Sequence, residues 1–299
     1  MIGKPPHEIE HDTTHGLLPP GKTLAFAGTP VIRAAIIGVS GRMGRELVRA
    51  ACNNPDLSVA AAVASAASPA IGKDAGELAD INTIGVRVTN DLAAALSAAD
   101  VAIDFSAPSA TQSNLTACRL ARKPLLIGTT GFAADLSAAF EAAATDIPVL
   151  VAPNTSLAVT LLIELVRQAA RALPAQFDIE IVEAHHRMKR DAPSGTALAL
   201  GKAAAEGRNQ TFDKSAATVR TGGTARQDGE IGYAVVRGGD IVGEHAVLFA
   251  GIGESLTLSH RASDRAVFAR GALQAAAWLV AQPPGQYFMR DLVTYKSGS

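Results

Sequence analysis

A glycine-rich turn between an apolar strand and a helix constrains the fold of this chain more than any other feature. The apolar run at 34–37 leads into Gly-Val-Ser-Gly-Arg-Met-Gly at 38–44, and a helical pattern follows as far as Asn53. Such a unit opens a dinucleotide-binding fold, because glycines let the backbone approach a pyrophosphate at the helix N-terminus. Tight turns also need glycine for steric reasons, so a purely structural turn is the alternative. The flanking strand and helix favour cofactor binding.

Short apolar strands alternate with helices through the first half of the chain. The predicted strands are 57–64, 101–105, 125–128 and 148–152, and the predicted helices are 91–99, 111–122, 133–145 and 157–173. This alternation is typical of a parallel sheet covered on both faces, whose ligands bind at the carboxyl ends of the strands. The residues expected to line a cofactor groove there are Gly38, Val39, Ser40, Gly41, Arg42, Met43, Ser65, Phe105, Gly128, Thr129, Thr130, Ala152, Pro153, Asn154 and Thr155.

The end of the second strand bears on which dinucleotide is bound. An acid about 20 residues after the glycines accepts the ribose hydroxyls of NAD, and a nearby arginine accommodates the 2′-phosphate of NADP. Residues 64–68 are Ala-Ser-Ala-Ala-Ser, with neither an acid nor an arginine. Arg42, Ser65, Ser68 and Lys73 are candidates to hold a phosphate. The sequence leaves the choice between NADH and NADPH open.

The pattern changes in the second half of the chain. Strand-like runs joined by glycine-rich turns predict an antiparallel or mixed sheet, and they lie at 177–184, 218–221, 231–237, 243–250 and 254–261. A helical pattern resumes at Asp264 and continues through Leu279. We expect this last helix to pack back on the first domain.

The length of 299 residues favours two domains. We predict an α/β fold with a Rossmann-like parallel-sheet domain for a dinucleotide and a smaller α+β domain with an antiparallel or mixed sheet. The expected boundaries are a disordered extension at 1–32, a dinucleotide-binding domain at 33–156 and 264–299, and a substrate-binding and oligomerisation domain at 157–263.

A charged cluster at 183–197 stands out from a chain rich in alanine, leucine and valine. Its histidines, His185 and His186, lie beside several cations and a Ser-Gly-Thr turn that starts at Ser194. The cluster joins a predicted strand to a predicted helix with Ser194 or Thr196 at its N-cap. Loops of this kind carry reactive groups, and a helix N-terminus suits an anion. We therefore predict a site for a small anionic substrate that needs a proton.

Composition excludes several classes of protein. Apolar residues make up 48% of the chain and charged residues 18%, which is typical of a well-buried globular enzyme. A net charge of −1 provides no field that would attract nucleic acid or an acidic membrane, and no apolar run is long enough to span a bilayer. We expect a cytoplasmic protein without a nucleic-acid or membrane partner.

Cysteines and the remaining histidines give no sign of a metal site. Cys52 and Cys118 lie in predicted helices, and we interpret them as buried reduced thiols rather than a disulfide. No histidine or cysteine lies at a spacing that would support a metal ion. We expect His245 and His260, on apolar strands, to be structural.

Together these motifs resemble the 4-hydroxy-tetrahydrodipicolinate reductase family, also called dihydrodipicolinate reductase. The similarity spans about residues 31–292, and its motifs are the glycine turn at 38–44, Asp-Ala-Gly-Glu-Leu at 74–78, Asp-Phe-Ser at 104–106, Ile-Gly-Thr-Thr-Gly-Phe at 127–132, Glu-Ala-His-His-Arg-Met-Lys at 183–189, Asp-Ala-Pro-Ser-Gly-Thr-Ala at 191–197 and Gly-Asp-Ile-Val-Gly-Glu-His at 239–245. Two departures are Met188, where many members have a histidine, and Ala64, where members with an acid contact the adenosine ribose.

The resemblance implies a reaction and a set of roles. The family uses NADH or NADPH to reduce (2S,4S)-4-hydroxy-2,3,4,5-tetrahydrodipicolinate, a cyclic imine dicarboxylate, to tetrahydrodipicolinate with loss of water, in lysine and diaminopimelate biosynthesis. It is typically a homotetramer assembled through its sheet domain. By resemblance His185 is the proton donor, Lys189 is the second catalytic group, and the substrate-binding residues are His186, Ser194, Gly195 and Thr196.

Two other functions are compatible with parts of the same pattern. A related NAD(P)-dependent imine-reducing or amino-acid dehydrogenase would share the two-domain plan but would carry a different cluster in place of 185–196. A non-catalytic NAD(P)H-sensing regulator would bind the cofactor and tolerate replacement of Lys189. The intact cluster favours the reductase over both.

Overall fold

The computed structural model describes residues 31–132, 135–212 and 225–295 of the chain. Its strands are β1 (Ile32–Ile37), β2 (Leu57–Val63), β3 (Val88–Thr89), β4 (Val101–Asp104), β5 (Leu125–Ile127), β6 (Pro148–Val151), β7 (Asp178–His185), β8 (Ile231–Arg237), β9 (Gly243–Ala250), β10 (Ser255–Ala262) and β11 (Gly285–Tyr287). Its α-helices are α1 (Arg42–Cys52), α2 (Ala75–Leu78), α3 (Leu92–Ala98), α4 (Thr111–Leu120), α5 (Ser137–Ala144), α6 (Leu157–Ala172), α7 (Gly195–Gly207), α8 (Ala266–Leu279) and α9 (Met289–Tyr295), with a 3-10 turn at Pro108–Ala110.

The first sheet is parallel throughout, in the order β11-β6-β5-β4-β1-β2-β3. Side chains alternate between its faces, so Ile36 and Ile103 pack towards α1 and α8 while Ala102 and Leu125 pack towards α3, α4 and α5. Both faces are therefore covered, as the apolar strands predict. Because β1 lies between β2 and β4, the direction of strand succession reverses at β1, and ligands of such sheets bind at this point.

The second sheet is mixed, which agrees with the sequence prediction. Its order is β10-β9-β7-β8, with β7 parallel to β8 and antiparallel to β9. One face packs on α6 and α7 through a core that includes Leu162, Ile181, Leu200 and Phe249. The chain then returns to the first sheet, because α8 packs on β4 and β5 and β11 pairs with β6.

Several sequence expectations need adjustment. Ile32, which we assigned to the extension, is the first residue of β1 and pairs with Leu57. The helix predicted from residue 133 begins at Ser137, where the Asp135 carboxylate accepts hydrogen bonds from the Ser137 backbone N–H and hydroxyl. Cys118 is buried, as expected, but Cys52 at the end of α1 is exposed, and both thiols are free.

Some expectations fall outside the described ranges. The extension up to residue 30 and the strand predicted at 218–221 are among them. Within those ranges, no helix is sufficiently long and apolar to cross a membrane.

Candidate active site

The glycine turn brings the start of α1 against the end of β4. Gly38 has φ +85°, a left-handed conformation that suits glycine, and a Cβ there would lie 2.5 Å from the Phe105 carbonyl oxygen. Gly44 in α1 is just as close to the turn, since its Cβ would lie 2.3 Å from the Gly38 carbonyl oxygen. Larger residues at either position would separate helix, turn and sheet.

A groove of about 520 Å³ opens at this junction. Its lining residues come from the carboxyl ends of the β1, β2 and β4 strands and from the segments that follow, and they are Ile37, Gly38, Ser40, Gly41, Val63, Ala64, Ser65, Ala66, Asn90, Leu92, Phe105, Ser106, Ala107, Ala110 and Asn114. Gly41 caps α1 without a side-chain hydrogen bond, so the first N–H groups of this eleven-residue helix are available to an anion. These features fit the pyrophosphate of a dinucleotide.

The predicted cofactor residues divide between this groove and other positions. Gly38, Ser40, Gly41, Ser65 and Phe105 line the groove. The others do not line it: Val39 is buried beneath the turn, Arg42 and Met43 lie in the first turn of α1, Gly128 packs on the Phe105 ring, Thr129 is buried beside Asp104, and Thr155 donates its hydroxyl to the Phe268 carbonyl oxygen (2.7 Å).

A buried carboxylate, that of Asp104 in the Asp-Phe-Ser motif, lies beneath the groove, and its part in the site was not predicted from the sequence. Asp104 is fully buried at the end of β4, and its carboxylate accepts hydrogen bonds from the Ser106 backbone N–H (2.8 Å) and from Asn114 Nδ2 (3.1 Å). Asn114 Nδ2 also donates to the Ser106 hydroxyl oxygen (3.1 Å). This network fixes Ser106 and Asn114 at the groove wall. The sequence signal that could have identified Asp104 was an acidic residue within the apolar run at 101–105.

A second cavity, of about 580 Å³, lies at the carboxyl ends of β5 and β6. It holds four predicted cofactor residues, Thr130, Ala152, Pro153 and Asn154, and five predicted catalytic or substrate residues, His185, Lys189, Ser194, Gly195 and Thr196. Predicted substrate residue His186 does not line it. The other residues that line the cavity were not predicted from the sequence, and they are Val151, Val159, Thr160, Ile163, Glu164, Arg167, Asp191, Ala199, Phe288, Met289 and Arg290.

A buried ion pair lies behind the cavity wall. His185, at the end of β7, places its Nδ1 2.5 Å from Glu183 Oε2. The Glu183 side chain is fully buried, and Arg237 at the end of β8 binds both of its oxygens at 2.8 Å. Glu183 Oε1 also accepts a hydrogen bond from the Ser194 backbone N–H (3.1 Å). Glu183 therefore joins two strands to the start of α7.

These contacts set the charges of the pair. Burial alone would raise the pKa of Glu183, but the hydrogen bonds from Arg237 and His185 outweigh it and hold that pKa below its ordinary value. Burial lowers the pKa of His185, and the Glu183 carboxylate opposes this decrease. Glu183 is therefore a carboxylate that accepts a hydrogen bond from Nδ1 of His185, which leaves Nε2 as the ring nitrogen outside this contact.

Lys189 is ion-paired in the same cavity. Its ammonium lies 2.8 Å from Asp191 Oδ2, and the Asp191 carbonyl oxygen accepts a hydrogen bond from Arg237 Nη2 (2.7 Å). Burial would raise the pKa of Asp191, but the hydrogen bond from Lys189 and the nearby cations keep it below its ordinary value. Asp191 thus holds the Lys189 side chain at the cavity wall.

The N-terminus of α7 forms the third side of the cavity. The Ser194 hydroxyl oxygen caps the helix by accepting from the Ala197 backbone N–H, and it lies 3.0 Å from His245 Nε2. Thr196 receives a hydrogen bond from Asn154 Nδ2 (3.0 Å), which ties α7 to the segment after β6. The first N–H groups of α7 have no helical partner, so they suit an anionic ligand.

His245 packs beside the His185 ring. It lies on β9 and is buried, with its ring edge-on to that of His185 at a centroid distance of 5.1 Å. Burial and the neighbouring His185 lower the pKa of His245 to about 4, so it is neutral near pH 7. Among the described residues, here and in the rest of the fold, no group of three or more His, Cys, Asp or Glu side chains is placed to hold a metal ion.

The groove and the cavity lie along the same edge of the parallel sheet, one shaped for a dinucleotide and the other equipped to deliver a proton. A dinucleotide-dependent oxidoreductase is the class of protein that this arrangement defines.

Comparison with known proteins narrows the class. A family model described as "Dihydrodipicolinate reductase, N-terminus" matches residues 32–155, and the corresponding C-terminus model matches residues 158–293. The chain belongs to the dihydrodipicolinate reductase family, and it is a reductase that uses a nicotinamide dinucleotide.

Relatives and solved structures agree with this assignment. The 4-hydroxy-tetrahydrodipicolinate reductase of Anaeromyxobacter dehalogenans is 48% identical over 89% of this chain and 99% of the relative, and that of Halorhodospira halophila is 49% identical over 86% and 97%. A dipicolinate-bound dihydrodipicolinate reductase from Paenisporosarcina sp. TG-14 matches with a TM-score of 0.67 and 27% identity, covering 87% and 98% of the two chains. An amine dehydrogenase from Mycobacterium smegmatis, at 15% identity and a TM-score of 0.56 over 87% and 95%, shares the fold.

Proposed function

We propose that this chain reduces 4-hydroxy-tetrahydrodipicolinate to tetrahydrodipicolinate, with His185 as the proton donor and Lys189 as the second catalytic group. The observation that carries the proposal is the 580 Å³ cavity in which both side chains meet the N-terminus of α7. A dicarboxylate needs cationic and N–H donors, and a reduced imine needs a proton, so one cavity supplies what this substrate requires. The reaction belongs to lysine and diaminopimelate biosynthesis.

The order of events follows from the chemistry of the substrate. Loss of the 4-hydroxyl with a neighbouring proton, as water, leaves a conjugated C=C–C=N system. The groove residues Gly38 and Ser40 and the first N–H groups of α1 would hold a reduced nicotinamide dinucleotide, which would supply a hydride for C4. The electron pair then moves towards the imine and leaves enamine-type negative charge, which Nε2–H of His185 neutralises by proton transfer. The Lys189 ammonium stabilises that charge as it develops.

Substrate carboxylates bind the remaining polar groups of the cavity. Gly195 and Thr196 offer the first-turn N–H groups of α7, and Ser194 holds that turn in place through its cap. His186 follows His185 at the end of β7 and is half-buried, and we assign it to the rim of the substrate site. When substrate arrives, one of its carboxylates competes with Asp191 for the Lys189 ammonium, since the two groups carry the same charge.

Either NADH or NADPH serves as the cofactor in this proposal. Ala64 and Ser65 line the groove at the end of β2, where an acid would repel a 2′-phosphate and an arginine would attract one. Ala64 and Ser65 are uncharged, so they neither repel nor attract a 2′-phosphate. Their neutrality supports acceptance of both cofactors.

The remaining proposals concern assembly and location. We assign residues 33–156 and 264–299 to dinucleotide binding, and residues 157–263 to substrate binding and oligomerisation. We expect a homotetramer assembled through the second sheet, and a cytoplasmic location, where the pathway and its nicotinamide dinucleotides are found. Half-exposed apolar side chains such as Val182 and Val236, on the sheet face away from α6 and α7, support the assembly.

A coupled assay tests the activity directly. A synthase forms the substrate from pyruvate and aspartate semialdehyde, and oxidation of NADH and NADPH is followed side by side. Turnover with either cofactor supports the proposal, and the ratio of the two rates reports on Ala64 and Ser65. Binding of both cofactors without their oxidation would instead favour the regulator.

Replacement of Lys189 tests its role in the same assay. Lys189→Ala is expected to lower turnover by about a hundredfold to ten thousandfold, the range of a catalytic proton or charge-stabilising group, while the dissociation constant for NADH stays near the wild-type value. Arg190→Ala removes a neighbouring exposed cation that does not line the cavity, and it serves as the matched control. A mild loss in Lys189→Ala, equal to that of the control, would remove its catalytic role.

A further inference from the structure

Glu183 is the most completely hydrogen-bonded side chain of the site, yet it cannot touch the substrate. Its side chain is fully buried on the α6 and α7 side of β7 and does not line the cavity. Both oxygens are occupied: Oε1 by Arg237 and the Ser194 N–H, and Oε2 by Arg237 and His185 Nδ1. A carboxylate buried at this depth is costly unless it is paired, and here its three partners, Arg237, His185 and Ser194, come from β8, β7 and the start of α7.

We propose that Glu183 is a positioning residue: its carboxylate fixes His185 with the proton on Nδ1, so that Nε2 is the atom that donates to the substrate. The proposal rests on the function assigned to His185 above. The 2.5 Å contact between Glu183 Oε2 and His185 Nδ1 leaves no room for a second acceptor on that nitrogen. Arg237 and the Ser194 N–H in turn hold the carboxylate. The His185 ring is therefore fixed by contacts that extend to β7, β8 and the start of α7.

The geometry gives Glu183 two effects on the proton transfer. The imidazolium carries protons on both nitrogens, and Nε2–H gives its proton to the substrate carbon, while Nδ1–H stays hydrogen-bonded to Glu183. The ring then rests as the neutral Nδ1–H form and takes its next proton from solvent at Nε2. The carboxylate also stabilises the imidazolium, so it keeps the ring protonable in a site whose burial favours the neutral form.

Other charges around the His185 ring bear on its titration and must be considered together. They are Glu183 on its own strand, Lys189 and Asp191 on the loop before α7, Arg237 on β8 and His245 on β9. Lys189 and Arg237 disfavour the imidazolium, and Glu183 favours it. Asp191 is already paired with Lys189, and His245 is neutral near pH 7. Glu183 is therefore the carboxylate that directly supports a protonated His185.

The first test uses the unaltered protein. Histidine labelled with ¹⁵N reports which ring nitrogen carries the proton, and His185→Gln identifies the His185 signals among the seven histidines of the chain. At a pH above the His185 pKa, the proposal expects a protonated Nδ1 and a bare Nε2. The opposite tautomer would overturn it, whatever the activity assay shows.

The second test replaces the charge. Glu183→Gln keeps the shape but should lower the His185 pKa by about one to three units, the usual effect of removing an adjacent opposite charge. The rate should then fall at neutral pH and recover as the pH is lowered, because the limb of the profile set by the proton donor moves with that pKa. A purely structural role would reduce the rate equally at every pH.

A matched control and a separate readout keep the outcomes distinct. Glu180→Gln removes one carboxylate from the opposite face of the same strand and should leave the His185 pKa and the pH profile unchanged. The NADH dissociation constant of each variant shows whether the first sheet remains intact. An unmoved His185 pKa in a folded Glu183→Gln variant would refute the positioning role. Full turnover in His185→Gln would instead refute the function assigned to His185 and leave the tautomer measurement standing.

Discussion

The Nε2 edge of the His185 ring faces a residue that has no side chain. A Cβ at Gly243, the first residue of β9, would lie 3.2 Å from His185 Nε2 and 3.4 Å from its Cδ2. Gly243→Ala should therefore displace the ring by a few tenths of an ångström and lower kcat by about tenfold to a hundredfold, since small misplacements of catalytic groups are costly. The thermal midpoint should not fall, because a strand tolerates alanine.

Steady-state kinetics together with a melting curve check this prediction. Gly238→Ala is the matched control, because a Cβ there meets no atom within 4 Å. Wild-type kcat in Gly243→Ala would mean that the ring has more freedom than its contacts indicate.

His245 links the site to acid stability. Its folded pKa of about 4 lies below the ordinary value of 6.5, so the unfolded chain binds the proton more readily. The stability gained by keeping this ring neutral is complete above pH 6.5, and it is lost as the pH falls towards 4. At about 1.4 kcal/mol for each unit of pKa, the loss is a few kcal/mol.

Thermal midpoints measured at one protein concentration test this directly. Between about pH 7 and about pH 4, the midpoint of His245→Gln should decline less than that of the wild type, since glutamine does not titrate. The carboxylates and the remaining histidines titrate in both proteins. The difference between the two declines in thermal midpoint therefore reports on His245. Parallel curves for the two proteins would contradict the shifted pKa.

Residues of the site could be predicted where charged and polar side chains lie close together in the sequence. The cluster of charges at 185–196 identified Lys189 and Ser194, and both line the cavity. Arg237 was not identified, and His245 was expected only as a structural residue, because both reach the site through the pairing of β7 with β8 and β9. Glu183 did leave a signal: it lies on the face of β7 where the alternation of Ile179 and Ile181 calls for an apolar residue.

At the scale of elements, α8 controls how the segment after β6 is held. A Cβ at Gly271 would lie 1.8 Å from the Thr155 carbonyl oxygen, a backbone atom that cannot turn aside. In an open helix, glycine to alanine stabilises by about 1 kcal/mol. Here Gly271→Ala should instead destabilise, by about 1–3 kcal/mol, because α8 must move away from the sheet edge.

The sign of the change in thermal midpoint decides this prediction. Gln274→Ala, at an exposed position of the same helix, reports the effect of helix propensity alone and should leave the midpoint nearly unchanged. Stabilisation by Gly271→Ala would show that the helix can shift at little cost.

Elements were predictable in proportion to their burial and length. The central strands β1, β4 and β5 carry continuous apolar sequence and were found within a residue or two. The edge strands β3 and β11 were missed, because they contain two and three residues and are set by neighbours distant in sequence. Propensity within a short segment cannot report pairing of that kind.

For the whole molecule, the arrangement of two sheets followed from the change of pattern near residue 173. The strand order did not, because β8 lies parallel to β7 across a long intervening segment. The parallel pairing places Arg237 beside His185. An antiparallel pairing of β7 with β8 would have made the second sheet antiparallel throughout, which the sequence pattern also allowed, and it would have lost the ion pair between Arg237 and Glu183.

The last prediction concerns the exposed face of the second sheet. Val236 on β8 is 48% exposed, beside Ala184 in register on β7. If four chains assemble through this face, Val236→Glu places an unpaired carboxylate in the interface, which costs several kcal/mol, and the tetramer should dissociate.

Light scattering coupled to size-exclusion chromatography measures the mass at one concentration. Leu120→Glu makes the same change at an 82% exposed position on α4 and should leave the assembly intact. A tetramer that survives Val236→Glu would move the interface elsewhere, and a wild-type monomer would remove the proposed assembly altogether.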